Sequence, residues 1–204
     1  MDALVSLNLP RTVGAAGWAR LPQAVQRRFA PGHPDTRFDG HLDLQCSRIG
    51  RLFAWAAKPL NSPLVGIRAA RAPAVVKVYQ DGCGGVVWER RLGLPDGRVQ
   101  VVRSTKQPGQ AEGEVVERTD GGLAMRLAVF EEGGALVFES RAYFLALGRW
   151  RVPLPMLITP GVCRVEHQDL GQGRFRFTLR MVHPWWGCTF AQTGVFTDPE
   201  EISE

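Results

Sequence analysis

From about residue 73 onward the chain alternates polar and apolar residues, and turn residues interrupt the alternation at short intervals. The clearest run sets Arg174, Arg176, Thr178 and Arg180 between Phe175, Phe177, Leu179 and Met181. A period of two puts these sets on opposite sides of an extended strand, one wet and one buried. The interruptions include Asp81-Gly82-Cys83-Gly84-Gly85, Pro95-Asp96-Gly97, Pro108-Gly109, Asp120-Gly121-Gly122 and Gly133-Gly134. Such tight turns force antiparallel neighbours, because a parallel return needs a long crossover. Strands are expected near 75–80, 86–92, 98–105, 113–119, 122–131, 134–146, 174–181 and 188–196.

The N-terminal part has a different period. Trp18, Leu21, Val25 and Phe29 recur at helical spacing, which predicts a helix over about 18–30, closed by Pro31-Gly32, with Arg27 and Arg28 off the apolar face. Phe38, Leu42 and Leu44 share the parity of a strand. Ser47 is placed to cap a second helix over about 48–58, with Ile49, Leu52, Phe53, Ala56 and Ala57 on one face. The expected fold is therefore mainly β (α+β): an antiparallel barrel or strongly curved sheet of about eight to ten strands with two N-terminal helices. That many twisted strands tend to curl or close, which removes exposed edges. The expected organisation is a loosely ordered segment 1–17, a single domain 18–197 and a frayed acidic tail 198–204.

Composition narrows the function classes. The 204 residues are 45% apolar and 22% charged, an ordinary globular balance. The net charge is +5, but the arginines are scattered singly or in pairs, mostly beside acids, with no basic run or nucleic-acid motif. No nucleic-acid partner is expected. Cys46, Cys83, Cys163 and Cys188 form no C-x-x-C pair, so neither a zinc site nor a disulfide framework is expected, and the thiols read as reduced and mostly buried. No apolar stretch is long enough to span a membrane as a helix, and no export signal opens the chain, so the expected location is the cytoplasm.

Arg90 is the first candidate site residue. It shares a strand face with Val86, Trp88 and Leu92, and an inward guanidinium needs a carboxylate or an anionic ligand beside it. Glu117, in parity with Val115, is the expected internal partner. His167 lies in phase with Cys163 and Val165, and His183 ends the Phe175–Met181 face; both read as hydrogen-bonded core histidines or as ligand contacts. His33 and His41 have no evident partner. No metal cluster, cofactor motif or G-x-S-x-G serine is present, and a histidine-based enzyme has no supporting constellation. Trp150 to Ile158 and Pro184-Trp185-Trp186-Gly187 are apolar, loop-like stretches that read as core, lid, portal or partner surface, with Trp150, Trp185 and Trp186 as their anchors. Together these residues suggest a non-catalytic module that binds an apolar or amphipathic, lipid-like small molecule through Trp88, Arg90, Glu117, His167 and His183.

The order of several short motifs resembles a bacterial family, domain of unknown function 4166. The carriers are Trp18-Ala19-Arg20-Leu21-Pro22, Gly40-His41-Leu42, Trp88-Glu89-Arg90-Arg91-Leu92 with Ser104, and Glu117-Arg118. Leu147 to Pro155, Pro160, Glu166, Gly173-Arg174-Phe175-Arg176-Phe177, Pro184 and Gly187 complete the set, across about 14–196. The family often has Phe where this chain has Leu92. The resemblance implies a fold and no chemistry. Some members are fused behind a dinucleotide-binding oxidoreductase domain, and this chain has no G-x-G-x-x-G of its own. A second expectation is therefore an accessory domain that docks on a separate oxidoreductase.

Overall fold

The computed structural model describes residues 6–32, 35–62, 64–111 and 113–199. His33 falls outside them, as do residues 1–5 of the N-terminal segment and 200–204 of the tail. Eleven strands form one antiparallel sheet: β1 (Thr36–Cys46), β2 (Ala69–Gln80), β3 (Val86–Gly93), β4 (Val99–Pro108), β5 (Val115–Thr119), β6 (Leu123–Glu132), β7 (Ala135–Leu147), β8 (Trp150–Leu154), β9 (Val162–Gly171), β10 (Arg174–His183) and β11 (Gly187–Thr197). Strands β1 to β7 are neighbours in sequence order. β7 then pairs with β9, and β10 and β11 lead back to β1, which closes a ten-stranded barrel.

β8 is the strand left outside. β7 pairs through Ala135–Glu139 with β9 and through Tyr143–Leu147 with β8. The switch follows a bulge in β7 at Arg141, where consecutive β6 residues Arg126 and Leu127 face Ala142 and Ser140, and such an irregularity bends a strand. The second half of β7 therefore leaves the seam with β9 as a ribbon edge, still paired with β6 on one side and, on the other, with β8, where the sequence suggested loop. Trp150, Arg151, Val152 and Pro153 are all exposed on it.

The alternation expected of β10 is observed, with Phe175, Phe177, Leu179 and Met181 buried and Arg174, Arg176 and Arg180 exposed. β1 alternates likewise, with Phe38, Leu42 and Leu44 inside. Its Gly40 also faces inward. A Cβ there would lie 2.4 Å from the Val195 carbonyl oxygen and 2.6 Å from the Phe196 ring, so β1 and β11 approach as closely as they do only with glycine.

Helices lie at the two mouths of the barrel. At one mouth sit α1 (Leu9–Val13), α2 (Ala15–Arg20) and α3 (Gln23–Arg28), packed on β6 and β9. The single helix expected over 18–30 is broken at Leu21-Pro22. The apolar stripe survives the break, with Leu21, Val25 and Phe29 buried. Part of the segment expected to be loose is helical: α1 is capped by Asn8 Oδ1, which accepts from the Arg11 amide at 3.0 Å. Arg28 is not on a wet face. It is buried, and its Nε and Nη2 donate to both Asp198 oxygens at 2.8 and 2.7 Å. The tail is thus tied down at its first residue.

At the other mouth lies α4 (Arg48–Ala56), capped as expected by Ser47 Oγ, which accepts from the Gly50 amide at 3.0 Å. Its buried residues are Gly50 and Ala54. A Cβ on Gly50 would lie 2.3 Å from the Thr189 carbonyl oxygen, so this glycine sets how closely α4 meets β11. Leu52, expected inside, is exposed together with Trp55. Two of the four free thiols are buried, Cys46 and Cys163, while Cys83 and Cys188 are exposed.

Candidate functional site inside the barrel

The barrel axis is lined by apolar side chains and by an unusual set of charges. Register places Trp88 opposite Ser104, Arg90 opposite Val102, and Lys106 opposite Glu117. All six belong to the inward parity of β3, β4 and β5. Lys106 Nζ lies 3.2 Å from Glu117 Oε1, which also accepts from the Ser104 hydroxyl at 2.6 Å. Lys106 Nζ stands 4.9 Å from the Trp88 ring centroid, close enough for a cation–π contact.

Arg90 has no such partner. Among the described residues it makes no ion pair or hydrogen bond, and its Nε is enclosed and unsatisfied. The expected Arg90–Glu117 pair is not formed, because Glu117 is engaged by Lys106 and Ser104 instead. Apart from Arg28, which Asp198 pairs, the interior lining among the described residues thus has two cations and one carboxylate. Burial weakens the hold of Arg90 on its proton, and the Glu117 charge acts in the opposite sense. For Lys106, burial lowers the pKa, with Glu117 opposing and Arg90 adding to the lowering. Burial alone would lift the Glu117 carboxyl, but Lys106, the Ser104 hydroxyl and Arg90 outweigh it and hold the group below the usual carboxylate range.

His167, in phase with Cys163 and Val165 as expected, also points inward. Its ring packs 4.8 Å from the Phe29 ring and 5.5 Å from Trp88, and its Nδ1 has no hydrogen-bond partner. Burial, then the charges of Arg28, Lys106 and Arg90, push its pKa well below the ordinary histidine value, so the ring is neutral. The Cys163 thiol is pushed up to about 12, first by burial and then by Glu117, and stays protonated.

These side chains surround a cavity of about 50 Å³. A smaller void of about 40 Å³ adjoins it toward α3, sharing Arg28, Trp88 and Lys106 as wall residues. A second of about 40 Å³ adjoins it toward α4, sharing Leu64, Glu117, Met125 and Met181. The three lobes form a string inside the barrel. Every buried side-chain nitrogen or oxygen that lacks a partner among the described residues lines this string. They are Arg28 Nη1, Arg90 Nε, His167 Nδ1 and Gln192 Oε1 in the main lobe, and Ser62 Oγ in the lobe toward α4. Buried polar groups are nearly always satisfied, so five orphans converging on one space mark it as the candidate site.

Of the residues singled out from sequence, Trp88, Arg90, Glu117 and His167 meet at this cavity. His183 does not. It is buried at the α4 mouth, where its Nδ1 accepts from the Trp185 amide at 3.2 Å and its Nε2 lies 3.2 Å from the Met156 carbonyl oxygen. Those two bonds fix the Nε2–H tautomer and make His183 a brace between two loops. Trp150, Trp185 and Trp186 also lie away from the cavity, exposed at that same mouth. Lys106, Arg28 and Gln192 were missed. Lys106 could have been found by continuing the parity of Val102 and Ser104 past residue 105, and Gln192 from the parity of Phe190 and Phe196, whereas Arg28 carries no such signal.

A closed ten-stranded antiparallel barrel with a charged, incompletely satisfied interior describes a class of protein, not a reaction. The model of the family described as domain of unknown function (DUF4166) matches residues 21–196, and the chain belongs to that family. A search of curated proteins found no match. Among the described residues, no three His, Cys, Asp or Glu side chains gather as a metal ion requires, and no helix is long and apolar enough to cross a membrane.

Proposed function

We propose that the barrel is a non-catalytic binding module for a small amphipathic anion, with its acidic group against Arg90 and Lys106 and its apolar body along the lobes. The observation that carries this reading is the convergence of orphaned polar atoms on one interior cavity, with Arg90 foremost. An uncompensated buried charge costs several kcal/mol, more than a domain can readily forgo. A carboxylate accepting from Arg90 would remove that cost. The Phe, Met and Trp side chains of the lining suit an aliphatic or aromatic tail. The size of the lobes favours a short ligand, or a longer one that displaces flexible side chains such as Met125 and Met181.

The charge requirement makes the reading testable by calorimetric titration with octanoate and with octanol. Octanoate should bind with one-to-one stoichiometry, and octanol about tenfold or more weakly, since a hydrogen bond to a charged group contributes about 1.5–3 kcal/mol. Arg90→Met should abolish the preference. Equal binding of acid and alcohol by the wild-type chain would refute an anion site. Failure of both to bind would count against the binding reading.

A further inference from the structure

The α4 mouth carries a second feature, which does not depend on what fills the interior. Three segments meet there. Trp186 of the β10–β11 hairpin packs 5.7 Å from Phe53 of α4, and His183 ties that hairpin to the short 3₁₀ turn Met156–Ile158 that follows β8. Each segment exposes large apolar side chains: Leu52 and Trp55 on α4, Trp150 and Val152 on β8 with Leu157 and Ile158 after it, and Trp185 on the hairpin. Trp55, Trp150 and Trp185 are 68%, 66% and 70% exposed, so the barrel core does not account for them.

Charge says what covers this surface. Within 48–68, 147–158 and 182–188 the sequence has Arg48, Arg51, Lys58, Arg68, Arg149 and Arg151, and no Asp or Glu. Among the described residues none of these six takes part in an ion pair. Elsewhere acidic residues are interspersed and many of the cations are paired, with Arg37 on Asp39, Arg98 on Asp96, Arg91 and Arg103 on Glu89, and Arg164 on three glutamates, although Arg174, Arg176 and Arg180 of β10 are not paired among the described residues. The Arg149 guanidinium lies 5.4 Å from the centroid of its neighbour Trp150, so cation and aromatic ring are presented together. Unpaired cations beside exposed tryptophans match the headgroup region of an anionic bilayer, where phosphates take the charges and indole rings lie at the apolar boundary. The tryptophans rise from separate segments, and β8 exposes successive residues of both faces, Trp150, Arg151, Val152 and Pro153. Tryptophans on separate segments and a strand so exposed suit a deformable liquid surface better than the fixed pocket of a protein partner.

We propose that the α4 mouth docks the barrel on an anionic membrane surface through Trp55, Trp150 and Trp185, with Arg48, Arg51, Arg149 and Arg151 against lipid phosphates. The test is flotation of the full chain with vesicles of phosphatidylcholine alone or mixed with phosphatidylglycerol. The chain should float with the anionic vesicles and not with the neutral ones, and added salt should release it. Arg149→Gln with Arg151→Gln should weaken partitioning about thirtyfold, at about fivefold for each charge removed. Trp150→Ser with Trp185→Ser should weaken it at every salt concentration. Should the ribbon variants fail to fold, Arg48→Gln with Arg51→Gln on α4 carries the same expectation. Arg174→Gln with Arg176→Gln, at the opposite mouth, should change nothing. Absence of binding to anionic vesicles, equal binding to neutral ones, an equal loss in the Arg174/Arg176 control, or capture of an acidic protein without vesicle binding would each overturn the proposal.

Discussion

Lys106 and Glu117 stand directly opposite each other across the β4–β5 register, their charged atoms 3.2 Å apart inside the barrel. Glu117 is the single carboxylate facing both Lys106 and Arg90 there. Glu117→Gln should therefore destabilise the fold by about 3–5 kcal/mol, the range for stranding buried charge. Adding Lys106→Met to that variant should recover part of the loss. Denaturant unfolding of the two variants checks the expectation, and a double variant no better than Glu117→Gln would show that the pair is not coupled.

Arg90 should behave in the opposite way. Its guanidinium makes no ion pair among the described residues, so Arg90→Met should leave stability unchanged or raise it by about 1–4 kcal/mol, as replacing buried charge by an apolar group often does. The same variant should lose anion binding. A residue that weakens the empty protein while serving the ligand is a site residue. Strong destabilisation by Arg90→Met would instead assign Arg90 to the scaffold.

His167 and Glu117 set the acid limb of stability. His167 is neutral in the fold, its pKa depressed first by burial. Below about pH 6.5 the unfolded chain takes up a proton that the folded chain refuses, so stability should fall as pH falls, by up to about 1.4 kcal/mol per pH unit. Glu117, also held below its ordinary value, adds a loss of the same sign in a lower window, below about pH 4.5. His167→Phe, which keeps a ring among Phe29, Trp88 and Phe177, should flatten the curve from about pH 6.5 down to about pH 4.5 and leave the Glu117 loss below that. Unfolding midpoints measured across pH 4–8 decide this.

The mouth opposite α4 is held by a contact between distant parts of the chain. The Arg28 side chain is 2% exposed, bonded to Asp198 and stacked 4.0 Å over the Phe175 ring. Asp198→Asn should cost about 3 kcal/mol, because it leaves a buried guanidinium without its charge partner. Unchanged stability would mean that Asp198 does not hold Arg28 in solution.

Much of this was legible in the chain, for identifiable reasons. β1 and β10 showed a period of two because each has one face in the core and one in water. Ser47 announced α4 because a cap is local chemistry. Arg90, Glu117 and His167 could be placed inside from parity alone. Their partners could not, because those depend on register: Lys106 meets Glu117 only because β4 runs on to Pro108 before turning. Closure was one of the two outcomes the strand count suggested, but the seam where it occurs could not be read, since it turns on one strand, β7, changing partners midway. Arg28 escaped notice because a basic residue late in a helix ordinarily faces solvent, and Asp198 lies far away in sequence. His183 misled because strand parity continues through the end of β10, while its actual partners, Met156 and Trp185, belong to loops. Leu52 was assigned inward by helical spacing, but α4 packs through Gly50 and leaves that face open.

The central claim is that the interior is a site and not a flawed core, and the most direct test is native mass spectrometry of the purified chain, followed by organic extraction. The binding reading predicts a stoichiometric adduct released on denaturation, identified as a small amphipathic acid, and absent from Arg90→Met. A wild-type chain of bare mass that also stays bare after incubation with octanoate would contradict it.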